Sequence, residues 1–321
     1  NTFKSAYHKR MIFDEFFYFE LLLALRKKGR VLKKGIVFNN ISGSVAALKK
    51  VIPFSLTGAQ EKVVTEITND MQSEKPMSRL IQGDVGSGKT VVAAAAAVHA
   101  IEAGYQVAVM APTELLAEQH RNNFAAWLEP LGLKIAWLSG KQGVKQRREN
   151  LTLLVSGEAA LVVGTHALFQ AEVEFDRLGL VIVDEQHKFG VHQRLALREK
   201  GNRDGQVPHQ LIMTATPIPR TLAMTAYADL DSSIIDELPP GRTPVETVVI
   251  SDERRAEVVA RVHKACGEEG RQAYWVCTLI EESEVLQCQA AEEAATMLAE
   301  ALPDLRVGLV HGRLSQLKKN C

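Results

Sequence analysis

The 321-residue sequence has only four cysteines, at positions 266, 277, 288 and 321, and no Cys-x-x-Cys pair among them. No histidine cluster lies beside them, so a zinc site is not indicated; the pattern is that of free thiols in a reducing cytosol. Net charge is also lacking: 38 basic and 38 acidic residues cancel. That argues against a tail protein held on nucleic acid by bulk charge, but not against a motor that grips phosphates through a few local donors. No apolar run approaches the ~18 residues of a membrane span, and no signal peptide is expected from the residues present. The first residue is Asn1 and not Met, so the native start is expected to lie elsewhere. What is present is the composition of a folded protein, 46% hydrophobic and 24% charged, with length for about two domains.

Three segments differ in pattern. Residues 1–55 read as a helical lead-in, rich in Phe and Leu over 12–25 and then basic at Arg26, Lys27, Lys28 and Arg30. The spacing predicts a helix packed on the domain that follows; the rival is a membrane-surface helix of aromatic and basic character. Residues 56–238 alternate short apolar strands, at 79–82, 107–110, 135–138, 161–164, 180–183 and 211–214, with helix-like stretches. Such alternation implies an α/β domain with a mainly parallel sheet covered by helices on both faces, and ligands beyond the carboxyl ends of the strands. The small residues 93–97 allow the first helix a close approach to that sheet. Pro239-Pro240-Gly241 and Pro244 read as a linker. Strand candidates at 247–250, 273–278 and 307–310 then open a second α/β domain over 239–321.

Gly83-Asp84-Val85-Gly86-Ser87-Gly88-Lys89-Thr90 follows an apolar strand and opens a helix, the context that a phosphate loop requires. Its glycines let backbone N–H groups converge on phosphate oxygens, and the helix N-terminus adds a field that favours anions. Lys89 then reaches the β- and γ-phosphates and the Thr90 hydroxyl binds Mg²⁺. The strand 180–183 ends in Asp184 and Glu185. Asp184 is placed to hold Mg²⁺, and Glu185 to orient and deprotonate an attacking water.

Further motifs give the class. Asp184-Glu185-Gln186-His187, Thr214-Ala215-Thr216, Ala111-Pro112-Thr113-Glu114-Leu115, Val163-Gly164-Thr165-His166, and Phe54 with Leu56-Thr57-Gly58-Ala59-Gln60 stand in the order seen in superfamily 2 helicases. With Gln186-His187-Lys188-Phe189-Gly190-Val191 and Thr216-Pro217-Ile218-Pro219-Arg220-Thr221, the sequence resembles the RecG family of branch-migrating DNA helicases over about residues 50–313. Ser87 and Gln186 favour that family over the transcription–repair coupling translocases. The flanks of the acid pair argue against an RNA helicase.

The resemblance implies two RecA-like motor domains, the second only begun, with ATP and Mg²⁺ as cofactors. The implied substrates are replication forks, Holliday junctions and other branched DNA. It also implies a monomeric, bacterial-type motor in the cytoplasm at the nucleoid, with single-stranded-DNA-binding protein as a partner and no membrane role. Phe54 and Gln60 would read adenine, an amide being able to pair with the N6 and N7 edge. Gln186, His187, Thr214, Thr216 and Arg220 would couple hydrolysis to movement; Arg220 faces either DNA or the second domain. Thr113, Thr165, His166, His311 and Arg313 would contact DNA. Thr113 and Thr165 read equally as helix caps, and His311-Gly312-Arg313 as a surface turn. Lys188 departs from the family's usual Arg, keeping charge without the planar fork. The family's wedge domain and late second-domain motifs are not in the sequence, so the expectation is a chain that binds ATP and hydrolyses it poorly. The alternative of another class is a non-catalytic ATP- and DNA-binding module.

Overall fold

The computed structural model describes residues 5–31, 34–39, 43–140, 142–185, 200–201, 205–216, 230–239, 245–277 and 284–310. The chain divides into two units, Asn1–Arg242 and Thr243–Cys321.

The first unit is built on a seven-stranded parallel sheet with the order β4-β5-β3-β6-β8-β2-β9. Its strands are β2 (Ser78–Gly83), β3 (Gln106–Met110), β4 (Lys134–Leu138), β5 (Ala159–Gly164), β6 (Leu178–Asp184), β8 (His209–Thr214) and β9 (Asp231–Ile235). Successive side chains on a strand point to opposite faces, and both faces here are apolar. Val107, Val109, Leu180, Ile182, Leu211 and Met213 join one core; Ala108, Met110, Val181, Val183 and Ile212 join the other. A sheet buried on both sides reads as continuous apolar runs, which is why six of its seven strands were visible as such. Strand β9 was not among them: Asp231-Ser232-Ser233 opens it with polar residues that break the apolar run.

Helices α2 (Ser44–Val51), α3 (Gly58–Met71), α4 (Lys89–Glu102) and α5 (Glu114–Leu128) contribute to the first core, and α6 (Val144–Val155) places Leu154 in the second. Residues 91–100 of α4 are all buried. The run of alanines is what permits this, since a helix buried all round must have side chains short enough to clear both the sheet and its neighbours.

The segment expected to be a separate lead-in shares this core in part. Ile36, Phe38, Leu48 and Ile52 are buried within it. The two-residue strands β1 (Lys34–Gly35) and β7 (Gln206–Val207) pair in parallel. Beside them His209 is fully buried: Nδ1 accepts from the Met77 amide at 2.9 Å, and Nε2 donates to the Ile36 carbonyl at 2.6 Å. The Phe38 ring meets His209 edge-on at 4.8 Å. The helix expected upstream exists as α1 (Ala6–Val31), but it does not lie on the domain. Phe13, Phe16, Phe17 and Tyr18 are exposed. Its aromatic residues fall on more than one side, so there is no single apolar stripe to bury.

In the second unit, α7 (Arg255–Gly267) and α8 (Glu284–Ala301) are formed, with Ala294, Leu298 and Leu302 buried. Arg255 lies over the Trp275 ring at 5.3 Å. The strand candidates there are a correction: 247–250, 273–277 and 307–310 form no strand among the described residues, and residue 278 lies outside them. A strand is defined by its ladder partner, which local sequence cannot guarantee.

The His209 arrangement makes the first unit acid-sensitive. Burial pushes its pKa down to about 4; the Ile36 carbonyl opposes the shift and His99 adds to it. The folded state therefore keeps the ring neutral, while the unfolded chain binds a proton below the ordinary value near 6.5. Stability from this group is present above pH 6.5 and is lost as pH falls toward 4, with about 2 kcal/mol gone by pH 5. Urea unfolding at pH 7 and pH 5 should show that much less pH dependence in His209→Gln than in the unaltered chain; equal pH dependence would contradict it.

Candidate functional site

Strand β2 delivers the chain to Gly83, and α4 begins at Lys89, so the loop between them lies at the carboxyl edge of the sheet. Gly86 and Gly88 have φ of 77° and 89°, a region that L side chains rarely adopt. A Cβ on Gly88 would also collide with the Gln60 amide. No side chain caps α4, which leaves its first N–H groups for an anion. The Ser87 hydroxyl is buried and has no partner among the described residues. Lys89 donates to the carbonyls of Gly83 at 2.7 Å and Asp84 at 2.9 Å. Burial lowers its pKa, and the charges of Asp184, Glu185 and Asp84 oppose that. Thr90 is half-buried one residue on, while Asp84 and Val85 are exposed at the loop tip.

Strand β6 ends at Asp184, which is buried, with Oδ2 2.7 Å from His120 Nε2. Glu185 follows with φ 49°, the only positive value at a non-glycine position among the described residues. This turn carries its carboxylate across to the end of β8. Oε1 accepts from the Ala215 amide at 3.0 Å, and Oε2 from the Thr214 hydroxyl at 3.3 Å. The Thr216 amide in turn donates to Thr214 Oγ1 at 3.2 Å. The sheet order explains the meeting. Strand β8 lies between β2 and β6, with Gln82 opposite Thr214 and Asp184 opposite Met213. Phosphate loop, Thr214-Ala215 and acid pair are thus side by side, although 131 residues separate Gly83 from Thr214.

Gln60 is put to a use the sequence did not suggest. Thr57 and Gln60 form a reciprocal capping box at the start of α3, with Gln60 Oε1 accepting from the Thr57 amide at 2.9 Å. Its Nε2 donates to the Ser87 carbonyl at 2.8 Å. The side chain is buried and bonded through both ends of the amide, so it fastens α3 to the phosphate loop, with one N–H and one lone pair uncommitted. Phe54 is open to solvent, edge-on to Trp127 at 6.4 Å. Glu237, just beyond β9, accepts from the Ala59 amide at 2.9 Å. That bond first, then Thr57 and Gly58, holds its carboxyl below the usual range.

A second polar surface lies where β4, β5 and β3 end. Thr113 caps α5, accepting from the Leu116 amide at 3.3 Å, and is exposed. Thr165 is buried, and its hydroxyl has no partner among the described residues; it makes no side-chain cap. His166 is exposed. Gly140 sits between Glu114 and His166: a Cβ there would lie 3.8 Å from Glu114 Oε1 and 3.9 Å from His166 Nε2. Sequence reasoning missed Ser139-Gly140, although a small polar pair after a strand is the signature that marked the neighbouring strand ends. It also missed His120 and Glu237, whose partners are 64 and 178 residues away. Gln186, His187, Arg220, His311 and Arg313 lie outside the described residues.

A protein-family model described as DEAD/DEAH box helicase matches residues 57–225. The ATP-dependent DNA helicase RecG of Escherichia coli K12 is 64% identical over 272 residues, 85% of this chain and 39% of that protein. RecG of Haemophilus influenzae is 57% identical over 316 residues, 98% of this chain and 46% of that one. The chain therefore spans less than half the length of these relatives. A solved structure of RecG bound to a three-way DNA junction matches with TM-score 0.79 and 39% identity, over 99% of this chain and 41% of that one. Since the family model covers more than half of its residues, the chain belongs to the DEAD/DEAH box helicase family, and within it is similar to the RecG ATP-dependent DNA helicases.

Proposed function

We propose that this chain carries the ATP site of a DNA helicase motor that remodels branched DNA, at forks and four-way junctions. The observation that carries the reading is the convergence of Lys89, Asp184, Glu185 and Thr214 at the ends of three adjacent strands, in a chain similar to RecG. Residues 56–238 serve as the first RecA-like domain and 239–321 as the opening of a second. A monomeric motor in the cytoplasm at the nucleoid, partnered by single-stranded-DNA-binding protein, is consistent with this. No helix among the described residues is long and apolar enough to cross a membrane.

The residues suit a nucleotide triphosphate with a magnesium ion. The buried Ser87 hydroxyl lacks a partner, and the α4 N-terminus lacks a cap, so donors converge where phosphate oxygens would sit. Gly83 to Thr90 form the cradle, with Lys89 as its positive charge. Asp184 and Thr90 offer hard oxygen donors. No group of three or more metal-ligating side chains occurs among the described residues, which suits a Mg²⁺ held by one or two protein oxygens plus phosphates and water. When bound, the ion would neutralise charge on the β- and γ-phosphate oxygens.

Glu185 is the group that acts on the attacking water. Hydrogen bonds from the Thr214 hydroxyl and the Ala215 amide hold its carboxylate at the end of β8, where it would orient the water and take its proton. Because Thr214 and Ala215 hold that carboxylate, any shift of the segment after β8 moves the base. This supports the coupling role of Thr214 and Thr216; Gln186, His187 and Arg220, outside the described residues, are assigned it from the resemblance alone. Phe54 is open to stack on adenine, and Gln60 stiffens the wall behind the phosphates. On the DNA side, the exposed Thr113 and His166 with the backbone of Ser139-Gly140 form a surface for one strand's phosphates, contacts that position DNA without reading sequence; Thr165, the other proposed contact, has its hydroxyl buried. His311 and Arg313, outside the described residues, are proposed as DNA contacts of the second domain on the resemblance alone.

Lys89→Ala should lower turnover by at least about 100-fold, the scale for loss of one preorganised charge-stabilising donor; unchanged nucleotide affinity and turnover would remove the assignment. Glu185→Gln should retain Mg²⁺-dependent ATP binding while slowing hydrolysis, whereas Asp184→Asn should weaken the Mg²⁺ dependence itself. Equal loss of binding in both would show that the two acids do not divide the work this way. The function as a whole is tested by ATPase assays with no nucleic acid, three-way DNA junctions, linear duplex and RNA. With the second domain completed, stimulation greatest with the junction is expected, against weak or no stimulation of this chain alone, and stimulation by RNA alone would overturn the DNA reading.

A further inference from the structure

Helix α5 starts directly after its cap Thr113, on the surface proposed for DNA, and packs against β4 and β5. Seven residues after the cap it presents His120, about 10 Å along the helix axis. Ala117 and Phe124, on either side of His120 in sequence, are fully buried, so this stretch of the helix cannot rotate without opening the core. The imidazole is buried as well, with the Phe124 ring 6.5 Å away. Its Nε2 lies 2.7 Å from Asp184 Oδ2, and among the described residues this is the only hydrogen bond to that carboxylate.

The partners settle where the ring proton is. A carboxylate only accepts, so Nε2 carries hydrogen and donates. Nδ1 is buried without a partner among the described residues. A proton there would be an unsatisfied buried donor, whereas a bare lone pair leaves only an unfilled acceptor. The ring is thereby fixed in one tautomer with its donor aimed at one oxygen. Asp184 stands at the open end of β6, where nothing else among the described residues holds its side chain. With Oδ2 taken by the imidazole, Oδ1 is the oxygen left for a metal ion.

We propose that His120 is a positioning residue for the metal-site carboxylate: its Nε2–H sets the rotamer of Asp184 and so presents Oδ1 to the Mg²⁺ that accompanies ATP. This rests on the reading of Asp184 as a magnesium ligand. A buried histidine that merely filled space would affect stability and leave metal dependence alone. An outer partner that orients a ligand changes metal affinity, typically by about 10- to 100-fold when removed.

The test uses the 321-residue chain, a fluorescent ATP analogue, and titrations of Mg²⁺ together with direct Mn²⁺ binding followed by electron paramagnetic resonance. His120→Gln keeps a side-chain N–H the same number of bonds from Cα as Nε2; His120→Asn is one bond too short to reach Oδ2. In His120→Asn the metal concentration for half-maximal effect should rise about 10-fold, while His120→Gln should stay within about 3-fold of the unaltered chain. Metal-free nucleotide affinity and the unfolding temperature should be alike in the two variants. The proposal is overturned if His120→Asn keeps the original metal dependence, or if Asn and Gln lose it equally. Asp184→Asn is the control. If it leaves the metal dependence unchanged, the magnesium reading fails and this one with it. If it weakens that dependence while His120→Asn does not, only the role of His120 fails.

Discussion

Strand β8 runs between β2 and β6, and the chain leaving it takes the Glu185 carboxylate in two hydrogen bonds, from the Thr214 hydroxyl and the Ala215 amide. The left-handed backbone at Glu185 is what makes this reach possible. Such a conformation is uncommon for a residue with a Cβ and persists only where surrounding contacts hold it. Here those contacts are the two bonds from β8 and the bond from the Glu185 amide to the Met213 carbonyl. The proposed water-activating group, the proposed magnesium ligand and the proposed phosphate-binding lysine thus have their spacing set by the ladder of three parallel strands, not by local loop preference.

The amino end of α3 has a comparable role on the other side of the phosphate loop. One capping box organises Thr57 and Gln60, and the same glutamine reaches the Ser87 carbonyl. Glu237, at the exit from β9, closes on the same helix end through the Ala59 amide. A negative side chain at a helix N-terminus is favourable in its own right. The effect here is to join the proposed adenine side, the phosphate loop and the chain leaving the sheet at one point. The sheet places these groups near each other, and the helix end locks them.

Much of this was legible from sequence because the relevant spacings are short. Gly83 to Thr90 is a contiguous run whose conformational demands are local: glycines where φ is positive, and a helix start where phosphate is to be held. All six strands expected in the first unit are present, because a parallel sheet buried on both faces leaves uninterrupted apolar runs. The edge strand β9, half polar, left no such run. The second unit's three apolar segments left the run without forming the strand, since apolar composition does not supply a partner. Helix α1 was foreseen as a helix and misjudged as packed, because helix formation is read along one chain and burial depends on another surface.

What the sequence determined by itself was therefore local: a glycine-rich turn between a strand and a helix, proposed as a phosphate cradle, a carboxylate pair at a strand end, and an α/β alternation. What only the tertiary structure decided was which of these groups touch. Thr214 meets Glu185 because β8 inserts between strands far apart in the chain. Gln60 binds the phosphate loop from 27 residues upstream, and His120 binds Asp184 from 64. A hydrogen bond depends on separation in space of about 3 Å. Separation along the chain carries no record of it once the pair is joined through a crossover, so these contacts had no signature until the sheet was assembled.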